Sequence, residues 1–350
     1  MKTTMRNIMR NVCRGGAGIL LLGFLCAATW APARAQEKGD DKLKRGNDLF
    51  NAGNFDNAIQ VYTDIAADKA FDRPVRREAF LGLGRAYFAK NNKDKAKTAL
   101  SEMLDLEPPL VELNPDEEAP PLLKLYYKVR QEKAGSLQVE RADPGIKTIA
   151  VLDFKNSSVD DRDRFNPMEM GFSELMINQL RGTVQLKVVE RERIAWLMNE
   201  IGMENSPGKF DVNSAVRVGK LLGVNAVVMG SFIKFKGDMW LGARLVKVET
   251  GEILATDDVK GDADNFFELC EKLSGKVAKA VNVNITEAQL EKGNETKSLD
   301  AMMAYSEGLV LVERGDYDGA YKKFNEALEK DPSYEKAHLK AESIKPLLRS

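Results

Sequence analysis

The chain has 350 residues, of which 52 are Lys or Arg, 53 are Asp or Glu and one is His. A total this evenly balanced lacks the excess of basic residues that is typical of nucleic-acid-binding proteins, which argues against a nucleic-acid partner. The single histidine, His338, rules out a metal site built from several histidines of one chain. Neither a GxxxxGK[ST] nor a GxGxxG phosphate-binding motif is present. Composition and motifs thus predict a protein with no catalytic residues, no cofactor and no metal.

Residues 1–35 have the pattern of an export signal, in which basic residues precede an apolar run and a small-residue cleavage site. Here the apolar run covers residues 17–30, and Ala33-Arg34-Ala35 stands before Gln36. One alternative is an uncleaved membrane helix, but the run is shorter than the ~20 residues that cross a bilayer. The other is a lipoprotein acylated at Cys26, although Leu25 occupies the preceding position, where such signals have a small residue. We expect a mature chain that begins at Gln36.

The segment from Asp41 to Pro109 contains one pattern of small, aromatic and aliphatic residues twice. Gly46 of the first copy recurs as Gly84 of the second, a spacing near the ~34-residue period of paired-helix repeats. The LGLG run that ends at Gly84 falls within a predicted helix, where glycine lets helices pack closely. The pattern resembles two tetratricopeptide repeats. That resemblance implies a concave groove for a protein partner.

A further helix is predicted from Pro120 to Gln131, because two prolines suit a helix start and apolar residues follow at helical spacing. The helical domain is therefore assigned to residues 36–132. Between the repeats and this helix, the proline-rich and acidic segment from Glu107 to Glu118 is predicted to be a solvated loop. Residues 133–146 are predicted to link this domain to the next one.

The central part of the chain carries most of the strand-like sequence. A β-branched and apolar run from Thr148 to Phe154 predicts a first strand, and QLKVVE predicts a second. Gly237 and Gly251 lie in short turns between three further strands, which predict an antiparallel meander. Apolar residues at helical spacing predict the remaining elements, which are helices over residues 170–180, 192–201, 212–222 and 264–283.

The order of these elements and several motifs resemble the curli assembly and transport component (CsgG) family and its flagellar-associated relatives of the FlgO type. The motifs are IAVLDF, VVERERI, KLLGVNAVVMGS and VETGEIL. The predicted fold class is α+β, with a central CsgG-like α/β domain over residues 147–285. Its mixed sheet ends in the meander, and helical hairpins flank it. In that family the domain is periplasmic, and some members build an outer-membrane secretion pore.

The repeat pattern returns once near the C-terminus, where AYSEGLVLVERGDYDGAYKKFNEALEKDP resembles a third tetratricopeptide repeat. Residues 286–297 are predicted to be a linker, and residues 298–350 a hairpin followed by a capping helix. One hairpin cannot bury its own apolar face. We therefore expect this repeat to dock on the central domain, the N-terminal repeats or another protein.

The partner-binding surface is predicted on the inner helices of the N-terminal repeats. Its candidate residues are Asn47, Asn51, Arg85, Tyr87 and Lys90. The predicted partners are envelope or secretion proteins and, through the central domain, other copies of the chain. Peripheral association with the outer membrane remains open.

Taken together, these features predict a non-enzymatic scaffold or assembly protein of the periplasm. The alternative is a subunit of an outer-membrane curli-type secretion complex, located there as a lipoprotein. Pore-forming members of the family insert membrane hairpins within this domain. The corresponding segments here are short, as around Gly237, or charged, as in residues 156–168, which favours the scaffold.

Overall fold

The computed structural model describes residues 30–106, 113–135, 146–203 and 210–348, with side chains from Gly39 onward. Residues 1–29 of the predicted export signal, with Cys26, lie outside these ranges. None of the described helices combines the length and the apolar character needed to span a membrane. The N-terminal helices are α1 (Trp30–Asn51), α2 (Phe55–Ala67), α3 (Arg73–Ala89), α4 (Lys93–Leu106) and α5 (Pro120–Ala134).

Helices α1 to α4 form the two predicted helical hairpins around Tyr62 of α2, whose side chain is 1% exposed. Glycines on the two neighbouring helices leave room for its ring. A Cβ added at Gly46 or at Gly82 would lie 2.6 Å from a Tyr62 ring carbon. Real Cβ atoms do not come that close to other atoms. The Tyr62 ring can therefore pack here only because positions 46 and 82 are glycines.

The central domain begins with β1 (Lys147–Val151) and contains a six-stranded mixed sheet. Strand β1 lies between two parallel neighbours, and the last three strands form the predicted antiparallel meander. The order along the sheet is β3, β1, β4, β5, β6. The further elements are β2 (Lys155–Asn156), α6 (Arg162–Phe165), α7 (Met168–Leu180), β3 (Leu186–Val188), α8 (Arg191–Glu200), α9 (Val212–Leu222), β4 (Ala226–Phe235), β5 (Asp238–Lys247), β6 (Ile253–Asp262) and α10 (Phe266–Ala280).

The sheet is covered on both faces, because alternate residues from Ile149 to Leu152, in β1 and just after it, enter different cores. Ile149 and Val151 pack with α7 and α10, while Ala150 and Leu152 pack with α8 and α9. Helix α9 ends as predicted at Gly223, which adopts a left-handed conformation with φ +68°. Cys270 of α10 is buried, and burial raises the pKa of its thiol well above the ordinary value.

The C-terminal repeat docks on the central domain. It consists of α12 (Leu299–Glu313) and α13 (Tyr317–Lys330), followed by α14 (Glu335–Ile344) and a turn of 3₁₀-helix (Lys345–Leu347). Met302 and Met303 of α12 join the hydrophobic core that β1 and α7 build. A Cβ on Gly171 of α7 would lie 2.3 Å from Ser306 Oγ. The close approach of α12 and α7 buries the face that one hairpin cannot bury alone.

Two connecting segments differ from the sequence expectation. Residues 286–297, predicted as a linker, contain the short helix α11 (Glu287–Lys292), which begins with a capping box at Thr286. The segment from Glu107 to Glu118, predicted as a solvated loop, is described from residue 113 onward. There Glu118 is 2% exposed, and the side chain of Asp116 is 14% exposed. The prediction of a solvated loop is therefore wrong at both carboxylates, because cations from elsewhere in the fold reach them.

Substituting Gly82 by alanine tests the packing around Tyr62. We expect Gly82→Ala to lower the free energy of unfolding by about 1–3 kcal/mol, since the added methyl group must displace the Tyr62 ring. The matched control is Gly275→Ala in α10, where the nearest atom, in Leu290, lies at an ordinary 3.4 Å. Alanine there should be neutral or stabilise the protein by about 0.5–1 kcal/mol. Equal effects of the two substitutions in denaturant unfolding would contradict the packing described.

Candidate partner-binding groove

A groove of about 700 Å³ lies between the N-terminal repeats and the C-terminal end of the described chain. One wall is aromatic and comes from Phe50 of α1, Phe55 of α2 and Phe88 of α3. The Phe50 and Phe55 rings contact each other with centroids 5.4 Å apart. The other wall comes from α14 and the turn after it, with Leu339 and Leu347. The groove therefore joins two parts of the chain that are far apart in sequence.

Three of the five predicted partner-binding residues line this groove, and two do not. Asn47, Asn51 and Arg85 are among the lining residues. Tyr87 packs partly buried against the core of the repeats, with the Lys95 ammonium 5.3 Å from its ring centroid. Lys90 is exposed and forms an ion pair with Asp56. Arg85 and Tyr87 are two residues apart, and such residues point to nearly opposite sides of a helix.

The polar residues of the groove are held in place by buried neighbours. Asn47 Oδ1 accepts a hydrogen bond of 2.7 Å from the Tyr62 hydroxyl. Burial raises the pKa of Tyr62 to about 12, so the phenol keeps the proton that it donates. The Arg85 guanidinium donates two hydrogen bonds to Glu118, one of them from Nε at 2.9 Å. Arg85 therefore shapes the groove through Glu118, while Asn51 is exposed to an incoming ligand.

A buried ion network fixes the position of α14 relative to the rest of the fold. We use this name for Asp116, Glu174, Arg191, Glu192, Glu313, Lys336 and Lys340. Lys336 of α14 pairs with Glu174 of α7, and its ammonium lies 3.5 Å from Asp116 Oδ2. Lys340, one turn later, pairs with Glu192 of α8, and its ammonium donates to the backbone carbonyl of Pro115 at 3.0 Å. Both lysine side chains are less than 5% exposed.

Arg191 of α8 joins α12 to the same network. Its side chain is 4% exposed, and its Nη1 donates to Glu313 of α12 at 2.7 Å, while its Nε lies 3.4 Å from Glu174. Burial alone would raise the pKa of Glu192, but the Lys340 ammonium and the Arg191 guanidinium hold that pKa well below its ordinary value. Burial alone would lower the pKa of Lys336, yet Glu174 and Asp116 raise it. These shifts favour the charged forms of Glu192 and Lys336 in the folded protein.

Sequence reasoning missed the residues that give the groove its shape. Phe50, Phe55 and Phe88 lie in the repeats, and their aromatic character at the ends of paired helices was a usable signal. No local pattern could have placed Leu339 and Leu347 opposite them, since that contact depends on how the C-terminal repeat docks. Within the described ranges no three His, Cys, Asp or Glu side chains are grouped so that they could hold a metal ion. His338 is exposed on α14.

The fold and the groove define a helical-repeat protein built around an α+β domain. The model of the family described as curli production assembly/transport component CsgG matches residues 130–239, and a tetratricopeptide repeat model matches residues 43–109. The chain therefore contains a CsgG family domain preceded by tetratricopeptide repeats, as its motifs predicted. No curated protein matches the chain.

Three solved structures are similar to parts of the chain. Lipoprotein GNA1162 from Neisseria meningitidis is 17% identical with a TM-score of 0.27, and the match covers 33% of this chain and 79% of that one. The LpoB C-terminal domain from Escherichia coli is 13% identical with a TM-score of 0.27, covering 38% and 94%. The LpoB C-terminal domain from Salmonella enterica is 11% identical with a TM-score of 0.25, covering 38% and 91%. These scores are too low to support conclusions about function.

The ion network can be tested by removing one of its cations. Lys340→Met leaves the negative charges of Glu192 and Asp116 with less compensation, although their side chains are only 13% and 14% exposed. We expect the free energy of unfolding to fall by about 3–5 kcal/mol, the usual cost of breaking a buried ion pair. Lys272→Met is the matched control, because Lys272 pairs with Glu268 on the exposed surface of α10. That change should cost about 0.5 kcal/mol or less. A Lys340 variant as stable as the Lys272 variant would show that the network does not hold α14.

Proposed function

We propose that the protein is a non-enzymatic scaffold of the cell envelope that binds a segment of a partner protein in the groove. The observation that carries the proposal is the groove itself, in which an aromatic wall faces α14 across about 700 Å³. The groove belongs to tetratricopeptide repeats, a class of helical arrays that bind extended partners on concave surfaces. The central CsgG family domain supports these walls and supplies a second surface for assembly.

The lining of the groove suits a peptide segment with aromatic or aliphatic side chains. Phe50, Phe88 and Leu347 offer apolar contact. Asn51 can exchange hydrogen bonds with a peptide backbone, since a carboxamide both donates and accepts. Glu342 and Lys345 on the C-terminal wall carry opposite charges and pair with each other. The groove therefore selects apolar side chains more strongly than net charge.

Two features support a place in the envelope. The first 35 residues have the pattern of an export signal. The CsgG family is described as a production assembly and transport component of curli. Together they favour a mature protein that begins at Gln36 and works in the periplasm.

Photocrosslinking in cells tests the groove as the partner site. A benzoylphenylalanine at Asn51, which lines the groove, should capture one defined envelope protein. The control position is Asn57, which is exposed on α2 and is not among the lining residues. Position 57 should not capture that protein, because the bound segment lies between the two walls. Placing the same group at Tyr87 and Lys90 tests the two predicted residues that lie outside the groove.

A substitution in the opposite wall tests whether crosslinking from position 51 depends on the groove. Leu347→Arg adds a long charged side chain to the wall opposite the reporting residue. It should abolish capture from position 51 while the purified variant keeps its melting temperature. Capture that survives Leu347→Arg, or that is equally strong from position 57, would show that the partner binds elsewhere.

The second candidate is a subunit of an outer-membrane secretion complex, which the match to an assembly and transport family favours. Fractionation of cells that express the precursor, with mass analysis of the N-terminus, separates the two. The scaffold proposal expects a periplasmic protein that starts at Gln36 and runs as a monomer or small oligomer in size exclusion with light scattering. A membrane-bound ring acylated at Cys26 would instead establish the secretion complex.

A further inference from the structure

A second cavity of about 880 Å³ lies at the carboxyl end of β1. Helix α7, which follows β1, covers one face of the sheet, and α8, which follows β3, covers the other. The two connections therefore separate at the ends of neighbouring parallel strands. A crevice forms at such a switch point, and ligands of open α/β sheets bind there. The volume is within the range of small-ligand sites, about 300–1,000 Å³.

The C-terminal repeat turns this crevice into a covered cleft. Leu152 and Asp153, just after β1, are among its lining residues, as are Met170 of α7 and Met198 of α8. Val310 and Leu311 of α12 close it from the other side. Three of these six side chains are aliphatic, two are methionines and one is a carboxylate. This cleft is separate from the partner-binding groove, and the inference drawn from it does not depend on the proposed function.

The apolar members of that set are Leu152, Val310 and Leu311 together with the two methionines, so Asp153 brings the only charge among the six. Further carboxylates surround them. Asp163, Glu169, Glu307 and Glu313 also line the cleft, against only two cationic lining residues, Arg314 and Lys323. Lys323 is paired with Glu307, and Glu313 is paired with Arg191 of the ion network.

The other three carboxylates have hydrogen-bond partners of their own. Asp153 accepts a hydrogen bond of 3.0 Å from the Ser173 hydroxyl and contributes to the raised pKa of Arg191. Glu169 Oε1 accepts one of 2.9 Å from the backbone N–H of Asn156. Asp163 Oδ1 lies 3.4 Å from the Asn166 amide that donates to it. The cleft therefore combines apolar walls with an excess of negative charge.

We propose that this cleft binds an organic cation, namely an amine or guanidinium group carried on an apolar stem. The charged group fits against Asp163 and Glu169, where a carboxylate gains a charge-assisted hydrogen bond. The stem lies along Met170 and Met198, whose flexible side chains adapt to irregular apolar shapes. Either a free amine or a lysine or arginine side chain of a peptide supplies this chemistry.

The experiment uses the full mature chain with ¹³C-labelled methionine methyl groups, and 1,6-diaminohexane as the probe. Amine binding should shift the signals of Met170 and Met198 and leave that of Met103, buried in the N-terminal repeats, unchanged. The neutral matched probe is 1,6-hexanediol, which should cause no shift because it lacks the charge. A lysine-containing tripeptide with blocked ends forms the second arm. Shifts with both cations assign the site to the cationic group in general, and shifts with the peptide alone assign it to a side chain of a protein segment.

Charge-matched variants complete the test. Asp163→Asn with Glu169→Gln keeps both hydrogen-bond acceptors and should weaken binding of the effective cation about tenfold, since each partly exposed charge contributes modestly. Asp264→Asn with Glu287→Gln removes the same charge from exposed positions outside the cleft and should not weaken binding. The proposal fails if neither cation shifts Met170 and Met198, if hexanediol shifts them equally, or if the two double variants bind alike.

Discussion

The buried ion network is the constraint on which the rest of the structure depends. Four carboxylates and three cations meet there from three separate parts of the chain: the segment before α5, the helices α7 and α8, and the C-terminal repeat with α14. Removing a charge from water is expensive unless a partner is present. Each part therefore needs the other two in place before its own charges can be buried. This requirement selects one arrangement of the repeats around the central domain.

Packing against α7 and α14 explains how a single C-terminal repeat can be stable. A helical hairpin normally needs neighbouring repeats on both sides. Here α7 takes the place of one neighbour, since Met302 and Met303 enter the central core and Ser306 fits against Gly171. Helix α14 takes the place of the second neighbour. Tyr334, just before this helix, and Ala337 and Ala341 within it pack in the core of the hairpin. The stability of the repeat therefore depends on its contacts with the central domain.

Local patterns predicted much of the fold, because turns, caps and periodicity are properties of neighbouring residues. Helix α9 has the predicted bounds, and the meander turns at Gly237 and Gly251 as expected. Strand β2 and helix α6 were not predicted, since two and four residues give no periodicity. The error at Asp116 has a different cause. An acidic residue in a proline-rich segment has the same local pattern whether it is solvated or buried, and its partner Lys340 is more than two hundred residues away in sequence.

One wall of the candidate site could be predicted from local sequence patterns, and the other could not. Asn47, Asn51 and Arg85 could be placed on the inner side of the repeats from the repeat pattern alone, and the structure brings them together in one groove. The opposite wall depends on Lys336 and Lys340, which hold α14 in place. The ion pairs of Lys336 and Lys340 with Asp116 are the reason why the acidic segment was wrongly predicted to be solvated. The same pairs hold α14 in the position that completes the groove.

The ion network holds helices that line both the groove and the cleft. These ion pairs limit how far either site can change shape when a ligand binds. Helix α14 carries Lys336 and Lys340 into the network and Leu339 into the groove wall, while α12 carries Glu313 into the network and Leu311 into the cleft. A ligand that moved either helix would have to separate buried charges. That cost is about 3–5 kcal/mol for each broken pair, comparable to the whole binding energy of a millimolar ligand, about 4 kcal/mol. Weak ligands must therefore bind to walls that are already in place, and only a tight partner could reposition the C-terminal repeat.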